Sequence, residues 1–246
     1  MSKTEQFKAL RGVCDVVVCT PGRMIDLLKM KACSFKRVTY LVLDEADRML
    51  DMGFEDQVFS LVNQVRPDRQ TALFSATMPR RIENLAQQTL HDSRIKISCG
   101  KAGEANEDVK QVVHVLQSCH QKIHWLFDHL EHFQNEGQVI VFVSQRAGVE
   151  EVVHLLSQKG YRAAGLHGDM NQHDRIAVLG DFKRQAVHTL VATDVASRGL
   201  DIKSVKTVVN LDAAKDLETH IHRIGRTGRA GDKSGTAYTL VTSRYL

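Results

Sequence analysis

The chain has 246 residues, 43% hydrophobic and 25% charged, which suits one or two globular domains with a buried core and excludes a low-complexity or fibrous chain. A formal net charge of +4 is compatible with a polyanionic partner without requiring one. The start, MSKTEQFKALR, has no apolar signal core and no apolar run approaches the ~20 residues of a membrane span. Five cysteines (Cys14, Cys19, Cys33, Cys99, Cys119) without a Cys-x-x-Cys pair fit a reducing compartment better than a disulfide framework or a zinc site.

In chain order, residues 1–10 are expected to be helical, with Phe7 and Leu10 on one face. Asp15–Cys19 reads as a short strand. Thr20-Pro21-Gly22-Arg23 then starts a helix, a cap followed by proline at the first helical position. A phosphate contact from helix N-terminal amides, helped by Arg23, is the alternative. Val38–Leu43 has the length and β-branched content of a buried strand, and it runs directly into Asp44-Glu45-Ala46-Asp47. Open α/β sheets bind ligands at the C-terminal ends of their strands. Two adjacent acids there suit a Mg²⁺-nucleotide site, one carboxylate holding the metal and the other positioning or deprotonating an attacking water. Taken in isolation, the pair is explained more simply as an acidic start to the next helix, favoured by the dipole.

Met52-Gly53 is a break. Phe54–Val65 reads as a helix with an apolar stripe of Phe54, Val58, Leu61, Val62 and Val65. Gln70–Phe74 is a strand ending in Ser75-Ala76-Thr77-Met78-Pro79. Thr77 either caps the next helix, with Pro79 near its first turn, or joins Ser75 in bonding back to the acidic stretch. Ile82–Leu90 is helical and Arg94–Ile97 a short strand. Residues 99–108 hold few apolar groups and two glycines, as an interdomain linker does. Their Gly100-Lys101-Ala102 lacks both the earlier glycine and the following hydroxyl of a P-loop.

A second strand–helix series follows. Strands are expected at Val109–Leu116, Val139–Val143, Arg162–Leu166, Thr189–Thr193, Val205–Leu211 and Ala237–Val241. Helices are expected at Gln121–Phe133, Glu150–Lys159 (ended by Gly160), Gln172–Lys183 and Leu217–Ile224. His120, His124, His129 and His132 read as a solvated helix face, because no acid or thiol completes a metal set. Two such series joined by a polar linker argue for two parallel α/β modules, residues 1–98 and 109–246. Near the end, His222-Arg223-Ile224-Gly225-Arg226-Thr227-Gly228-Arg229 packs three arginines and two glycines into eight residues. Glycines allow close approach of backbone to a phosphate, and arginine suits charge developing on a γ-phosphate. Metal and water chemistry in one module with arginines in the other is an arrangement that couples nucleotide state to domain closure.

Six blocks in order, TPGR at Thr20, DEAD at Asp44, SAT at Ser75, VIVFV at Val139, VATDVASRGLD at Val191 and HRIGRTGR at His222, make the sequence resemble the DEAD-box RNA helicases of superfamily two. VRPDRQT and GEANEDV resemble a splicing-associated subfamily. The resemblance implies an α/β fold of two RecA-like parallel-sheet modules. The first is incomplete, because the family's glutamine motif, its Walker A P-loop and strand, and a further RNA-contact block are not among these residues. It implies ATP and Mg²⁺ as cofactors, with Asp44 on the metal, Glu45 on the attacking water, and Arg226 and Arg229 on the γ-phosphate. Gly199 and Asp201 would contact the nucleotide, Asp201 at the ribose. Asp47, Ser75, Thr77 and His222 would couple hydrolysis to RNA handling. Thr20, Gly22, Arg23, Gln145, Gly168, Arg175 and Thr193 would lie along the RNA, on its sugar-phosphate backbone. Local duplex separation by a monomer, spliceosomal or other RNP partners and a nuclear setting (otherwise cytoplasmic) complete the expectation. The alternative is a non-catalytic remnant that binds only RNA or protein.

Overall fold

The computed structural model describes residues 1–98, 108–194, 205–228 and 234–242. The chain forms two compact units, Met1–Gly103 and Glu104–Leu246, here units 1 and 2.

Unit 1 begins with α1 (Lys3–Leu10), started by a capping box in which Ser2 and Glu5 exchange hydrogen bonds. Helix α2 (Pro21–Lys29) follows, with Pro21 at its first position as expected, although the Thr20 side chain makes no capping bond. A 3-10 turn (Phe35–Arg37) leads into β1 (Tyr40–Leu43), and α3 (Ala46–Asp51) starts three residues after the strand ends. The expected break at Met52-Gly53 is a Schellman closure: Gly53 takes φ +73, its N–H donates to Leu50 O, and the Phe54 N–H donates to Met49 O. Helix α4 (Glu55–Val62), β2 (Gln70–Leu73) and α5 (Arg80–Thr89) complete the unit. Strands β1 and β2 pair in parallel, Tyr40 opposite Gln70 through Leu43 opposite Leu73. Leu43, Ala46, Leu50, Val58, Val62, Ile82 and Leu85 form the core. On α5, Ile82, Leu85, Ala86 and Thr89 recur at helical spacing on the inward face.

Two expected strands do not form. Residues 15–19 and 94–97 are irregular, and Val16, Val18, Ile95 and Ile97 are exposed. Their composition favours β structure, but a strand exists only through its ladder. Among the described residues of unit 1 only β1 and β2 supply one. Tyr40 and Val42 of the same small sheet, and Phe74 just past the end of β2, are also exposed.

Unit 2 carries six parallel strands in the order β3-β8-β7-β4-β6-β5: β3 (Lys110–Leu116), β4 (Gln138–Phe142), β5 (Ala163–Leu166), β6 (Thr189–Ala192), β7 (Val205–Asn210) and β8 (Thr236–Thr242). Every residue of β4 and β6 is buried, as in a sheet covered on both faces. The alternation along β4 shows the two layers. Val139, Val141 and Val143 pack with α6 (Cys119–Glu136) and α7 (Arg146–Gln158), through Leu126, Leu130, Phe133, Val152 and Leu156. Ile140 and Phe142 pack with Phe182 of α8 (Gln172–Lys183) and Ile224 of α9 (Leu217–Ile224). Each fully buried side chain of this kind contributes about 1.5–3 kcal/mol. Chain order reverses at β4, which lies between β6 and β7, and ligands of open α/β sheets settle outside the C-terminal ends at such a point. His129 stacks on Trp125 at 4.3 Å and His132 pairs with Glu136, so those two histidines serve helix packing and its surface.

Candidate functional site

In unit 1 the chemistry gathers where β1 gives way to α3. Asp44 is exposed, and its Oδ1 accepts the Glu45 N–H at 3.0 Å. Glu45 adopts the left-handed conformation (φ 50°, ψ 51°), which costs an ordinary residue about 1–2 kcal/mol. Backbone bonds on both sides hold it there: Phe74 N–H to Leu43 O at 2.8 Å and Ala46 N–H to Phe74 O at 3.0 Å. The Glu45 carboxylate pairs with Arg48 at 2.9 Å. Thus the acidic pair does precede a helix, and it does so through a strained turn that simple capping does not need.

Asp47 is 1% exposed. Its Oδ2 accepts both the Thr77 N–H (2.9 Å) and the Thr77 hydroxyl (3.1 Å), while its Oδ1 accepts the Arg48 N–H at 3.0 Å. The Ser75 hydroxyl accepts the Asp47 N–H at 3.2 Å and donates to Thr77 O at 2.7 Å. Of the two expectations for Thr77, the bond back to the acidic stretch is the one realised. The N-cap of α5 is Pro79, and Thr77 does not cap it. Thr20, Asp44, Glu45 and Arg48 line one cleft together with Cys19, Pro21, Met49, Met52 and Phe54. Gly22 and Arg23 are engaged elsewhere: a Cβ on Gly22 would meet Gln57 Oε1 at 3.3 Å, and Arg23 donates to Gln6 Oε1 at 2.7 Å.

An exposed carboxylate bonded only to its neighbour's amide fits Mg²⁺, which takes one or two protein oxygens and fills its octahedron with water and phosphate oxygens. Asp44 meets that requirement, whereas Glu45 is committed to Arg48.

In unit 2, α9 is capped by Asp216, which accepts the Thr219 N–H at 2.7 Å. The helix carries His222 and Arg223. Arg223 is 2% exposed and its guanidinium is fully engaged. Nε and Nη2 grip the two oxygens of Asp194 at 2.6 and 2.9 Å. Nη1 donates to Asp212 O at 2.6 Å and to Asn210 Oδ1 at 3.3 Å. The group also lies over the Phe142 ring at 5.1 Å. Sequence reasoning passed over this residue. The signal was available in its spacing: Thr219, Arg223 and Ile224 share the inward face of α9, and an inward arginine requires an acid, here the one just after the buried strand β6.

Arg226 is 8% exposed, and its Nε donates to His222 O at 3.3 Å. The Thr227 hydroxyl donates to Val205 O at 2.6 Å and approaches Lys206 O at 3.1 Å, tying the segment to the start of β7. Gly225 has an ordinary φ of −65°, and Gly228 takes +65°. Gly235 presses on this segment, since a Cβ there would lie 2.3 Å from Thr227 Oγ1 and 2.6 Å from Gly228 N. Gly235→Ala is therefore expected to cost unit 2 about 1–3 kcal/mol, as overpacking does. Urea unfolding followed by fluorescence of Trp125, the sole tryptophan, measures it; an unchanged midpoint would mean the segment shifts freely.

Gln145, Gly168 and Thr193 sit just beyond the C-terminal ends of β4, β5 and β6, and Arg175 lies half-buried on α8. Asp212 steadies this edge: its carboxylate accepts the Ser144 N–H at 2.9 Å, while buried Lys122 donates to Leu211 O at 2.7 Å. Gly199, Asp201 and Arg229 lie outside the described residues.

One unit with a doubly covered parallel sheet and polar groups at its C-terminal edge, and another whose acidic strand end is cross-bonded to the segment after the next strand, fit the RecA-like α/β class. Two family models match: DEAD/DEAH box helicase over residues 1–85 and helicase conserved C-terminal domain over residues 121–231. DEAD-box ATP-dependent RNA helicase 24 of Oryza sativa subsp. japonica is 58% identical over 244 residues, 99% of this chain and 32% of the relative. The chain thus spans about a third of that relative's length. The structure of S. cerevisiae Dbp5 bound to RNA and ADP BeF3 matches with a TM-score of 0.82 and 31% identity, over 93% of this chain and 59% of that one. A hypothetical ATP-dependent RNA helicase from Sulfolobus tokodaii matches with a TM-score of 0.54 and 35% identity, over 100% of this chain and 70% of that one. The chain belongs to the DEAD-box family of helicases.

Proposed function

We propose that the chain is part of an ATP-dependent RNA helicase that couples ATP hydrolysis to local separation of RNA duplexes or remodelling of RNPs. The observation that carries this reading is the Asp47–Ser75–Thr77 hydrogen-bond set, which ties the end of β2 to the residues following Asp44 and Glu45. Any shift at the acidic pair is transmitted along that link to the segment after β2. Asp44 would hold Mg²⁺, which would supply charge neutralisation at the phosphates. Glu45 takes the proton of the attacking water. Arg226 and Arg229 stabilise the γ-phosphate, Gly199 and Asp201 contact the nucleotide, and His222 joins Asp47, Ser75 and Thr77 in coupling. Thr20, Gly22, Arg23, Gln145, Gly168, Arg175 and Thr193 touch the RNA backbone, so binding is tolerant of sequence and sensitive to salt. Residues 1–98 and 109–246 act as two domains, with 99–108 as linker. A monomer working with RNP proteins in nuclear RNA processing accords with the subfamily resemblance; no helix among the described residues is long and apolar enough to cross a membrane.

A second reading is favoured by one feature of the sequence. No glycine-rich loop ending in Gly-Lys-Ser/Thr occurs in the 246 residues, so the β- and γ-phosphates have no backbone cradle of that kind here. On this reading the 246 residues bind RNA or protein without turnover. The deciding measurement is ATP hydrolysis by the 246-residue chain, with and without single-stranded RNA, beside Glu45→Gln. The helicase reading expects RNA-stimulated turnover that the variant lowers by at least about a hundredfold, as loss of a general base does. RNA binding with no turnover in either protein supports the second reading.

A further inference from the structure

Arg146 opens α7 directly after Gln145. Its Nε donates to Glu150 Oε1 at 2.8 Å, one helical turn on, and its Nη1 to Asp169 Oδ2 at 2.9 Å, in the turn after β5. The start of α7 and the turn after β5 thus meet at one guanidinium, and its hydrogen bonds to Glu150 and then to Asp169 raise its pKa above the ordinary value. All three side chains are more than half exposed (56%, 54% and 67%). Ion pairs in that setting contribute only about 0.2–1 kcal/mol each, so they neither anchor the fold nor resist exchange. His167 Nε2, 3.8 Å from Glu150 Oε1, is a second cationic neighbour for that carboxylate when protonated.

The location gives the cluster its meaning. Gln145 and Gly168, both assigned above to the RNA backbone, stand next to Arg146 and Asp169 in the chain. The first turn of α7 holds no acid, and the Gln145 side chain caps nothing, so its N-terminal amides supply positive potential. The three charged side chains together sum to −1 and oppose it. An arginine at such a place would ordinarily meet a phosphate in a bidentate, charge-assisted pair stronger than a solvent-exposed carboxylate pair.

We propose that Arg146 is a further RNA phosphate contact, held in reserve by Glu150 and Asp169, whose carboxylates an incoming phosphate displaces. The proposal rests on the RNA-binding reading above and sharpens it: the two acids set the affinity of this edge for RNA. They keep it low enough for release, and Arg146 supplies the contact once they are exchanged.

The test is fluorescence anisotropy of a labelled single-stranded oligo(U) titrated with the full chain over a salt series. Glu150→Gln/Asp169→Asn is expected to bind about threefold to tenfold more tightly at moderate salt. Its slope of log K against log salt should steepen by about 0.7, the increment for one added contact to a single strand. Adding Arg146→Ala to the double variant should erase both changes, with the Trp125 unfolding midpoint unchanged throughout. A gain that persists in the triple variant shows simple repulsion by the acids and overturns the role of Arg146. No gain in the double variant, with the parent chain binding normally, overturns the reserve. If neither parent nor double variant binds at any salt, the RNA-binding reading falls and this proposal falls with it.

Discussion

Arg223→Ala is expected to lower the urea midpoint of unit 2 by about 2 M. The figure follows from about 3–5 kcal/mol for breaking a buried pair and a denaturant slope near 2 kcal/mol/M. The residue is 2% exposed and donates to Asp194, Asp212 O and Asn210. Truncation takes this donor from the Asp194 carboxylate, the Asp212 carbonyl and Asn210 Oδ1, and places a cavity against Phe142. Arg223→Lys should recover little of the loss, because an ammonium cannot grip both Asp194 oxygens while reaching the carbonyl of Asp212. Combining Arg223→Met with Asp194→Asn should cost less than the sum of the single changes, since no buried charge is then stranded. Trp125 fluorescence reads all three. A midpoint within about 0.3 M of the parent for Arg223→Ala would show that the pair is dispensable.

Asp47→Ala is expected to destabilise unit 1. Three hydrogen bonds to the carboxylate disappear, two from Thr77 and one from the Arg48 amide. An unsatisfied buried donor costs about 1–3 kcal/mol, and the core of unit 1 rests on a two-stranded sheet. The loss should therefore melt α3 and the segment after β2 well below the parent's transition. Far-UV circular dichroism should show an early phase in which Trp125 fluorescence stays flat, because the tryptophan belongs to unit 2. Thr77→Val, which removes only the hydroxyl bond, should cost about 1 kcal/mol. A single transition, coincident by both probes in parent and variant, would count against independent melting of unit 1.

Much of this was legible from the residues. The buried strands of unit 2 are continuous runs of Val, Ile and Leu bounded by polar turns, and their helices show the 3.6-residue spacing, so both were read within a few residues. Asp47, Ser75 and Thr77 were expected to meet, and their hydrogen bonds are present; the coupling role drawn from them stands as a proposal. Residues 15–19 and 94–97 were misread because β-branched composition reports fitness for a sheet, whereas pairing depends on which partner strand lies beside them. A helix after the acidic pair was the simpler reading of that pair, but the bounds of α3 and the turn that starts it were not anticipated. Six residues are too few to show a period, and the left-handed Glu45 that launches it is unfavourable on local propensity. Arg223 was hidden for a different reason: its neighbours in the sequence are also basic, so the inward-facing member of the cluster looks like the outward ones until α9 is placed against β7.

The register of the unit 2 sheet constrains the order in which it can be built. Strand β3 pairs with β8 from Lys110 opposite Thr236 to Leu116 opposite Thr242, and among the described residues no other strand borders it. During synthesis the first strand of the unit must therefore wait, its ladder unmade, until the last has left the ribosome. The inner strands β4, β5, β6 and β7 can meet earlier, with α7 and α8 laid over them. Contacts so distant in sequence form late and slow the final step. Through that interval Val113 and Val115, exposed even in the finished sheet, belong to an unpaired apolar strand open to any passing edge. Unit 2 is thus most vulnerable during synthesis at its own first strand, and a holdase that shields residues 110–116 would act at the point of greatest need.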